Sequence, residues 1–474
     1  MTYSITQNTV YLTVASVLQK AISFVYFTIV ARIIGVENTG QYFFALAFAS
    51  VFAVVADFGM GPILTREMAR TPERSERYVN NLLLSKLLFG AVAFIFIIGF
   101  ANLLNYGSAL KLLIYMAGVT MFFDNLQTVF YSTFRAHKNL KVEAVGLVVS
   151  QFLTLCFGTV ALLSRAPLVY LIASYTAASL IMVCYGAYMV KTRLHLKLNF
   201  EFDWSILRFF LKYSWAFAAA AILSRLYAYT DSIFISKILP PAHLGWWSVP
   251  YKIAFAWQFI PVAVATSLYP VFSRHFKDVE KIRETFIKAW RYLFMVVFPL
   301  ALGIIAVARP LVLKLYGAEF EPSIIVLQVL MLSLIFGFLS FISGAVLNAS
   351  NRQNTQTVLM GVALIVNVIL NLLLLPRYGL VGAAWAALAT NIILTVAGFM
   401  MCDRFLKFSY LAIFKLALRY LIPAVIMSVS TAKLIPVVTI FPAILISILL
   451  YGLLILITRG VLFSELKELY QRFT

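Results

Sequence analysis

Residues 8–42 have the sequence NTVYLTVASVLQKAISFVYFTIVARIIGVENTGQY. Before the first acidic side chain, Glu37, the only charged residues are Lys20 and Arg32. An apolar run of about 20 residues is long enough to cross a ~30 Å hydrocarbon layer as an α-helix. A helix also pairs its own backbone N–H and C=O groups, as that layer requires. The stretch therefore predicts a transmembrane helix, and its length and flanks differ from those of a cleaved signal peptide.

Similar apolar runs fill the rest of the chain. Of the 474 residues, 62% are hydrophobic and 12% are charged. Soluble domains carry about 25% charged residues, so the excess apolar surface must face lipid. The sequence therefore predicts an all-α polytopic membrane protein with about fourteen transmembrane helices. Among them we expect helices over 8–34, 41–63, 245–272, 355–375 and 379–401.

The positive charge of the chain is unevenly distributed. Its formal net charge is +20. Roughly three quarters of the Lys and Arg residues outside the helix interiors follow even-numbered predicted helices, as the positive-inside rule expects of cytoplasmic segments. This pattern predicts a multi-pass protein of the cell (inner) membrane with both termini in the cytoplasm, and it explains the charge without nucleic acid. Two amphipathic segments, 203–208 and 277–290, predict helices that anchor the chain at the membrane surface.

A single shift of the sequence aligns unusual residues in the two halves. It places Lys20 on Arg225, Arg32 on Lys237 and Gly40 on Gly245. Cations in the middle of membrane helices are costly and rare, so their match carries weight. We predict two six-helix lobes, 1–200 and 201–405, related by a pseudo-twofold axis along the membrane normal. Residues 406–474 then form two further helices and a cytoplasmic tail.

Several chemical functions lack a signal in the sequence. No G-x-x-x-x-G-K-[ST] motif is present, so the sequence shows no sign of ATPase activity. The three cysteines lie in apolar runs, and the four histidines lack the spacing of metal ligands. We therefore expect a protein that is not an enzyme and that holds neither a metal nor a cofactor.

Five stretches, in order along nearly the whole chain, carry a resemblance to a known family. They are residues 8–42, with the Gly35-to-Gly40 turn, then ADFGMGPILTREMAR (56–70), LVLKLYGAEFEPSIIVLQVL (311–330), NASNRQNTQT (348–357) and LLPRYGLVGAAWAALAT (374–390). The chain resembles the oligosaccharide flippase family, in its Wzx-like polysaccharide exporter branch. The resemblance implies movement of a polyprenyl-pyrophosphate-linked oligosaccharide from the inner to the outer leaflet by alternating access, for the assembly of cell-surface polysaccharide. Expected partners are this lipid-linked glycan, membrane lipids and a polysaccharide polymerase complex.

A diphosphate crossing the bilayer needs a hydrated, cationic cavity. The mid-helix cations Lys20 and Arg225 are the first candidates to line it, and a structural ion pair with an intramembrane acid is their alternative role. Lys252 is a second candidate, with snorkelling to the headgroups as its alternative. Arg66 and Lys86 are candidates for capturing a headgroup at the inner mouth, and for Arg66 the positive-inside bias is the alternative explanation.

Three acids and two prolines complete the candidate site. Asp57, Asp124 and Asp231 are candidates for ion coupling, and a structural counter-charge is the alternative role. Pro250 and Pro261 are candidate hinges in the predicted helix 245–272 because proline removes a helical hydrogen bond, although both could form static kinks.

Three other functions remain compatible with the pattern: a drug or cation antiporter of the same fold, a lipid II flippase, and a non-transporting scaffold of an envelope-polymer complex. The central cations argue against the first of these, since a carrier of cations needs acidic groups.

Overall fold

The computed structural model describes residues 5–199, 202–276 and 278–458, which contain helices and no β-strand. The first seven α-helices are α1 (Ile5–Asp57), α2 (Met60–Arg70), α3 (Ser75–Leu103), α4 (Ser108–Ala136), α5 (Lys141–Leu163), α6 (Val169–Arg193) and α7 (Trp204–Ile238). The next seven are α8 (Ala242–Ala256), α9 (Phe259–Arg274), α10 (Val279–Leu315), α11 (Ser323–Ala349), α12 (Gln353–Leu406), α13 (Tyr410–Leu434) and α14 (Ile440–Ile457).

Most of these helices have the length and composition of membrane spans. Within the described ranges, eleven helical segments pass this test, or twelve if the bent α7 is one span. Two of the eleven, Val10–Arg70 and Gln353–Leu406, are long enough to cross more than once at 1.5 Å per residue. The all-α polytopic fold is therefore confirmed, whereas this count does not confirm the predicted number of fourteen helices.

Helix α1 bends at Gly35. This residue has φ 76° and ψ 177°, a conformation that glycine adopts readily because it has no Cβ. The Thr39 hydroxyl donates a hydrogen bond to the Gly35 carbonyl (2.6 Å) in the first helical turn after the bend. The predicted break between the first two helices is confirmed, but the expected turn from Gly35 to Gly40 is wrong because the chain re-enters a helix directly after Gly35.

The predicted helix 41–63 is interrupted near its end. Phe58 (φ 45°) and Gly59 (φ 66°) both have left-handed backbone conformations, which end α1 at Asp57 and let α2 begin at Met60. A Cβ on Gly59 would lie 2.8 Å from the Phe217 Cβ in α7, so α7 packs directly on this break. The break places the Asp57 carboxyl at the last residue of a helix rather than within one.

Helix α12 joins the two predicted helices 355–375 and 379–401. Gly379 (φ 56°, ψ −142°) is non-helical and marks the boundary between them. Pro376 lies just before it and cannot donate a helical hydrogen bond. The predicted boundary is confirmed by this kink.

The predicted helix 245–272 is two helices. Helix α8 ends at Ala256 and α9 begins at Phe259, with a turn at Trp257 and Gln258. Pro261 is the third residue of α9, where its missing N–H removes no helical bond. The chain therefore breaks before Pro261, and Pro250 lies inside the continuous α8. Their role as hinges stays a prediction.

The first predicted surface segment forms the start of α7. The Asp203 carboxylate caps this helix by accepting a hydrogen bond from the Ser205 amide (2.9 Å), and the Ser205 hydroxyl donates to the same oxygen (2.5 Å). The hydrogen bond from the Ser205 hydroxyl, and after it the one from the Ser205 amide, lower the pKa of Asp203 below its usual value. Residues Trp204–Trp215 lie at 53° to Phe217–Ile238. Leu207 and Phe210 are buried in a core cluster with α2 and α3, so this segment packs on protein as well.

The second predicted surface segment begins at Lys277, which lies outside the described residues. Its remainder is the start of α10, which continues without a break to Leu315. The segment is therefore part of a longer helix rather than a separate one.

Residue contacts divide the chain into two compact units, one ending at Gly245 and one beginning at Trp246. In the first unit, α1 packs on α3, α4, α5 and α7, and α4 packs on α6. In the second, α11 packs on α9, α10 and α12, and α13 packs on α10 and α14. Helix α7 thus groups with the first six helices, while the predicted lobes 1–200 and 201–405 remain a prediction.

Candidate functional site

A cavity of about 520 Å³, lined by both polar and apolar side chains, lies within the first unit. The second half of α1, the start of α2, and α4, α6 and α7 contribute to its wall. Its volume falls in the range of small-molecule binding sites. Four charged side chains line it: Asp57, Asp124, Arg135 and Arg225.

One face of α4 supplies most of the polar lining. Thr120, Asp124, Thr128 and Ser132 follow one another at intervals of four residues, and all four line the cavity. Side chains four positions apart lie one above another on a helix. The four-residue spacing of the polar stripe is therefore visible in the sequence of α4, although only Asp124 was predicted as a site residue.

The Asp57 carboxylate is held by a buried lysine. The Lys86 side chain is 0% exposed, and its ammonium group donates to Asp57 Oδ1 at 2.5 Å. It also contacts Thr128 Oγ1 (2.5 Å) and the side-chain and backbone oxygens of Asn125 (3.2 and 3.3 Å). A buried ammonium needs such acceptors to offset its lost hydration. This network joins α1, α3 and α4, and it supports the counter-charge role that was the alternative for Asp57.

Lys86 lies in the protein interior. It was predicted as a headgroup-capturing cation at the inner mouth, and the contacts above occupy its ammonium group instead. The physical reason is that α3 turns this side chain toward α1 and α4, where Asp57 and Asn125 supply acceptors. Lys86 is thus one partner of an ion pair with Asp57, a role that the sequence did not suggest for it.

Asp124 is bound by hydroxyl groups. The Ser179 hydroxyl donates to Asp124 Oδ1 (2.6 Å) and the Tyr175 hydroxyl donates to Oδ2 (3.2 Å), both from α6. The carboxyl group is partly exposed and lines the cavity. In the part of the chain that the structure describes, no cation lies within ion-pair distance of it. Asp124 thus places a carboxylate without a counter-charge at the cavity wall.

The two arginines of the cavity differ, as the two aspartates do, in whether a neighbouring side chain neutralises their charge. Arg135 donates through Nε to Glu143 Oε2 (2.6 Å) and through Nη2 to Glu143 Oε1, so Glu143 neutralises it by a bidentate pair. Arg225 on α7 lines the cavity with an exposed side chain and makes no ion pair among the residues described. Its guanidinium is therefore the cavity cation that is available to an anion.

The other predicted site residues of the first unit lie outside this cavity lining. Lys20 is a partly exposed residue of α1, and Asp231 is buried in α7. Arg66 on α2 donates through Nε to Glu67 (2.7 Å), and its guanidinium lies 5.7 Å from the Tyr213 ring centroid. The structure thus brings Arg225, Asp57 and Asp124 together at one cavity, with Lys86 behind them, but not Lys20.

Lys252 belongs to the second unit. It lies in α8, two residues after Pro250, and its side chain is partly exposed. Its role in substrate binding stays a prediction.

Beyond the polar stripe of α4, sequence reasoning missed further residues of the site, among them Arg135, Glu143 and Tyr175. Arg135 was missed because the sequence predicted a fourth helix over 109–133, which leaves Arg135 in the loop after it, whereas α4 continues to Ala136. Its partner Glu143 is in α5, beyond any helical spacing. Tyr175 carries no charge, so only the position of α6 against α4 identifies it.

Two family comparisons cover most of the chain. The sequence model of the polysaccharide biosynthesis protein family matches residues 5–276, more than half of the chain. The model of the lipid II flippase MurJ matches residues 253–452.

Two relatives and one solved structure illustrate the similarity. The "Probable low-salt glycan biosynthesis flippase Agl15" of Haloferax volcanii is 22% identical over 408 residues, covering 85% of each chain. The "Capsular polysaccharide biosynthesis protein CapF" of Staphylococcus aureus is 22% identical, covering 80% of this chain and 94% of that protein. The inward closed conformation of the lipid II flippase MurJ superposes with a TM-score of 0.77 at 18% identity, covering 96% of this chain and 99% of that one. The chain shares the MurJ fold and is a multi-pass membrane protein.

Proposed function

The chain belongs to the polysaccharide biosynthesis protein family, and we propose that it is a flippase for polyprenyl-pyrophosphate-linked oligosaccharide. It moves this lipid from the inner to the outer leaflet of the cell membrane for the assembly of surface polysaccharide. The names of its relatives support this substrate class. The positive-inside pattern supports an orientation with both termini in the cytoplasm.

The observation that carries the proposal is the position of Arg225. Its side chain lines a cavity with polar side chains between apolar helices, and it makes no ion pair with any residue that the structure describes. A diphosphate loses its hydration on entering the hydrocarbon layer, and a guanidinium group offsets that loss by charge-assisted, bidentate hydrogen bonds. We assign the diphosphate-binding role to Arg225.

The remaining predicted residues have subordinate places in the proposal. Lys20 and Lys252 stay candidates for substrate contacts outside the described cavity, and Arg66 for a headgroup contact at the cytoplasmic face. Transport proceeds by alternating access, without a catalytic step or ATP hydrolysis. A polysaccharide polymerase complex remains an expected partner.

The direct test is translocation of a fluorescent polyprenyl-diphosphate oligosaccharide in proteoliposomes, read by access of a membrane-impermeant quencher. Wild-type protein should move the lipid, and Arg225→Ala should slow it about ten- to a hundred-fold, the loss expected for a hydrogen bond to a charged group. Arg225→Lys should retain more activity because the charge remains, but less than wild type because the bidentate geometry is lost.

The matched control is Arg309→Ala. Arg309 forms an exposed ion pair with Glu321 in the second unit (2.9 Å), so its loss should leave transport unchanged. Absence of transport by wild-type protein would refute the proposal. Transport of a cationic drug, or of lipid II alone, would favour one of the alternatives. Normal transport by Arg225→Ala would show that Arg225 does not bind the diphosphate in this cavity.

A further inference from the structure

Two of the four charges in the cavity are left for a ligand, and they have opposite signs. Asp57 is neutralised by Lys86, and Arg135 by Glu143. Asp124 and Arg225 line the same cavity, yet they form no ion pair with each other or with any other described residue. A ligand that satisfies both must carry an anionic group and a separate set of hydrogen-bond donors.

The Asp124 carboxylate is oriented but not saturated. Each oxygen accepts one hydroxyl hydrogen bond, from Ser179 (2.6 Å) and from Tyr175 (3.2 Å). An ionised carboxylate has about four acceptor positions, so each oxygen can take a further donor. Because a charged group in a partly dry cavity costs free energy unless it is hydrogen-bonded, these positions favour a ligand that supplies donors.

A diphosphate lipid without a sugar meets only half of this requirement. At neutral pH its diphosphate is an acceptor, which suits Arg225 and is repelled by Asp124. A sugar bonded to the diphosphate adds hydroxyl or amide donors a short distance from the phosphorus atoms. A cavity of about 520 Å³ suits a group of this size, a diphosphate with its neighbouring sugar, better than a long glycan.

Resting on the proposed function, we infer that Asp124 is a specificity-determining residue for the sugar next to the diphosphate. Its carboxylate accepts hydrogen bonds from the hydroxyl or amide groups of that sugar while Arg225 binds the diphosphate. Ser179 and Tyr175 are positioning residues, because they hold the carboxylate toward the cavity. The cavity thereby distinguishes a glycosylated carrier lipid from the bare carrier.

The test measures binding of two kinds of probe to the purified full chain in detergent. One is farnesyl diphosphate, and the other is farnesyl diphosphate linked to glucose, galactose or N-acetylglucosamine. Wild-type protein should bind at least one sugar-bearing probe more tightly than the bare diphosphate. Asp124→Ala should weaken binding of that probe about ten- to a hundred-fold, as for one hydrogen bond to a charged acceptor. Its affinity for the bare diphosphate should stay equal or rise, because a repelling charge is gone.

Further variants separate the roles of the residues. Arg225→Ala should weaken the binding of both probes. Asp124→Asn keeps the side-chain shape and one acceptor oxygen, so its affinity for the sugar-bearing probe should lie between those of wild type and Asp124→Ala. This variant also keeps the test possible if Asp124→Ala folds poorly. Ser179→Ala should cause a smaller loss of affinity for the sugar-bearing probe and should leave the affinity for the bare diphosphate unchanged. Glu321→Gln, on an exposed ion pair of the second unit, is the control acid and should change neither affinity.

Each contrary result has a distinct meaning. An equal loss of affinity for both probes in Asp124→Ala and Asp124→Asn would overturn the inference. Unchanged affinity for the sugar-bearing probe would overturn it too. If transport is lost while binding is unchanged, the inference is overturned as well, and the result favours a role of Asp124 in ion coupling. If wild-type protein binds neither probe and moves no lipid in proteoliposomes, the proposed function itself fails.

Discussion

At the scale of single residues, the charges near the cavity divide by whether the protein itself neutralises them. Lys86 is fully buried and Asp57 is 37% exposed, and their charges meet at 2.5 Å. Arg225 and Asp124 have no such counter-charge among the described residues. The sequence identified all four as candidate site residues. It could not show which of them are neutralised, because that depends on which helices α3 and α7 face.

Removal of the buried lysine should destabilise the protein. Lys86→Met leaves the Asp57 carboxylate without its counter-ion, and loss of one partner of a buried pair typically costs about 3–5 kcal/mol. We expect the lower end, about 3 kcal/mol, because Asp57 is partly exposed and water screens its charge. The measurement is the thermal unfolding midpoint of the purified protein in one detergent.

A second substitution tests the cause of that loss. The double variant Lys86→Met with Asp57→Leu removes both charges and should recover part of the stability. The exposed pair of Arg309 and Glu321 gives the control, since Arg309→Met should change the free energy of unfolding by less than about 1 kcal/mol. A Lys86→Met protein as stable as wild type would show that this ion pair is not structural.

At the scale of elements, glycines decide where helices bend and how closely they pack. Gly35 and Gly379 were expected near helix boundaries, and the structure bends α1 and α12 there. The close contact of Gly40 with Gly245 was not expected. A Cβ on Gly40 would lie 2.5 Å from the Gly245 nitrogen, and one on Gly245 would lie 2.0 Å from the Val36 oxygen. Sequence alone aligned these two glycines as repeat partners without indicating that they touch.

Substitution at this contact should therefore be destabilising. Gly245→Ala places a methyl group against the backbone of α1, which cannot move aside as a flexible side chain could, so we expect a lower unfolding midpoint. Gly99→Ala in α3 is the matched control, because no atom lies within 4 Å of its Cβ. It should be neutral or stabilising by up to about 1 kcal/mol, as for a helical glycine replaced by alanine. Equal midpoints for the two variants would contradict the packing described here.

The polar face of α4 is the element-scale feature that sequence reasoning could have found. Its four-residue spacing of Thr120, Asp124, Thr128 and Ser132 is visible without a structure. What the spacing cannot show is the neighbour of that face. The Asp124 contacts come from α6 and the Lys86 contacts from α3, and both depend on the packing of helices distant in sequence.

At the scale of the whole molecule, composition and apolar run length were sufficient for the fold class. They predicted a polytopic helical protein, and the ordered resemblances predicted the family, which the match over residues 5–276 confirms. The helix ends were less predictable, because Phe58 adopts a left-handed conformation that no local signal marks and because the chain breaks before Pro261. The repeat pointed to Arg225 and Lys20 equally, whereas only Arg225 lines the cavity.

The central claim is that Arg225 binds the diphosphate of a lipid-linked glycan. Its most direct test is a cryo-EM structure of the full chain in lipid nanodiscs with a bound farnesyl-diphosphate-linked sugar. We expect diphosphate oxygens about 3 Å from the Arg225 guanidinium nitrogens, the distance of a charge-assisted hydrogen bond. A diphosphate held elsewhere by other cations, with Arg225 turned away from it, would contradict the account.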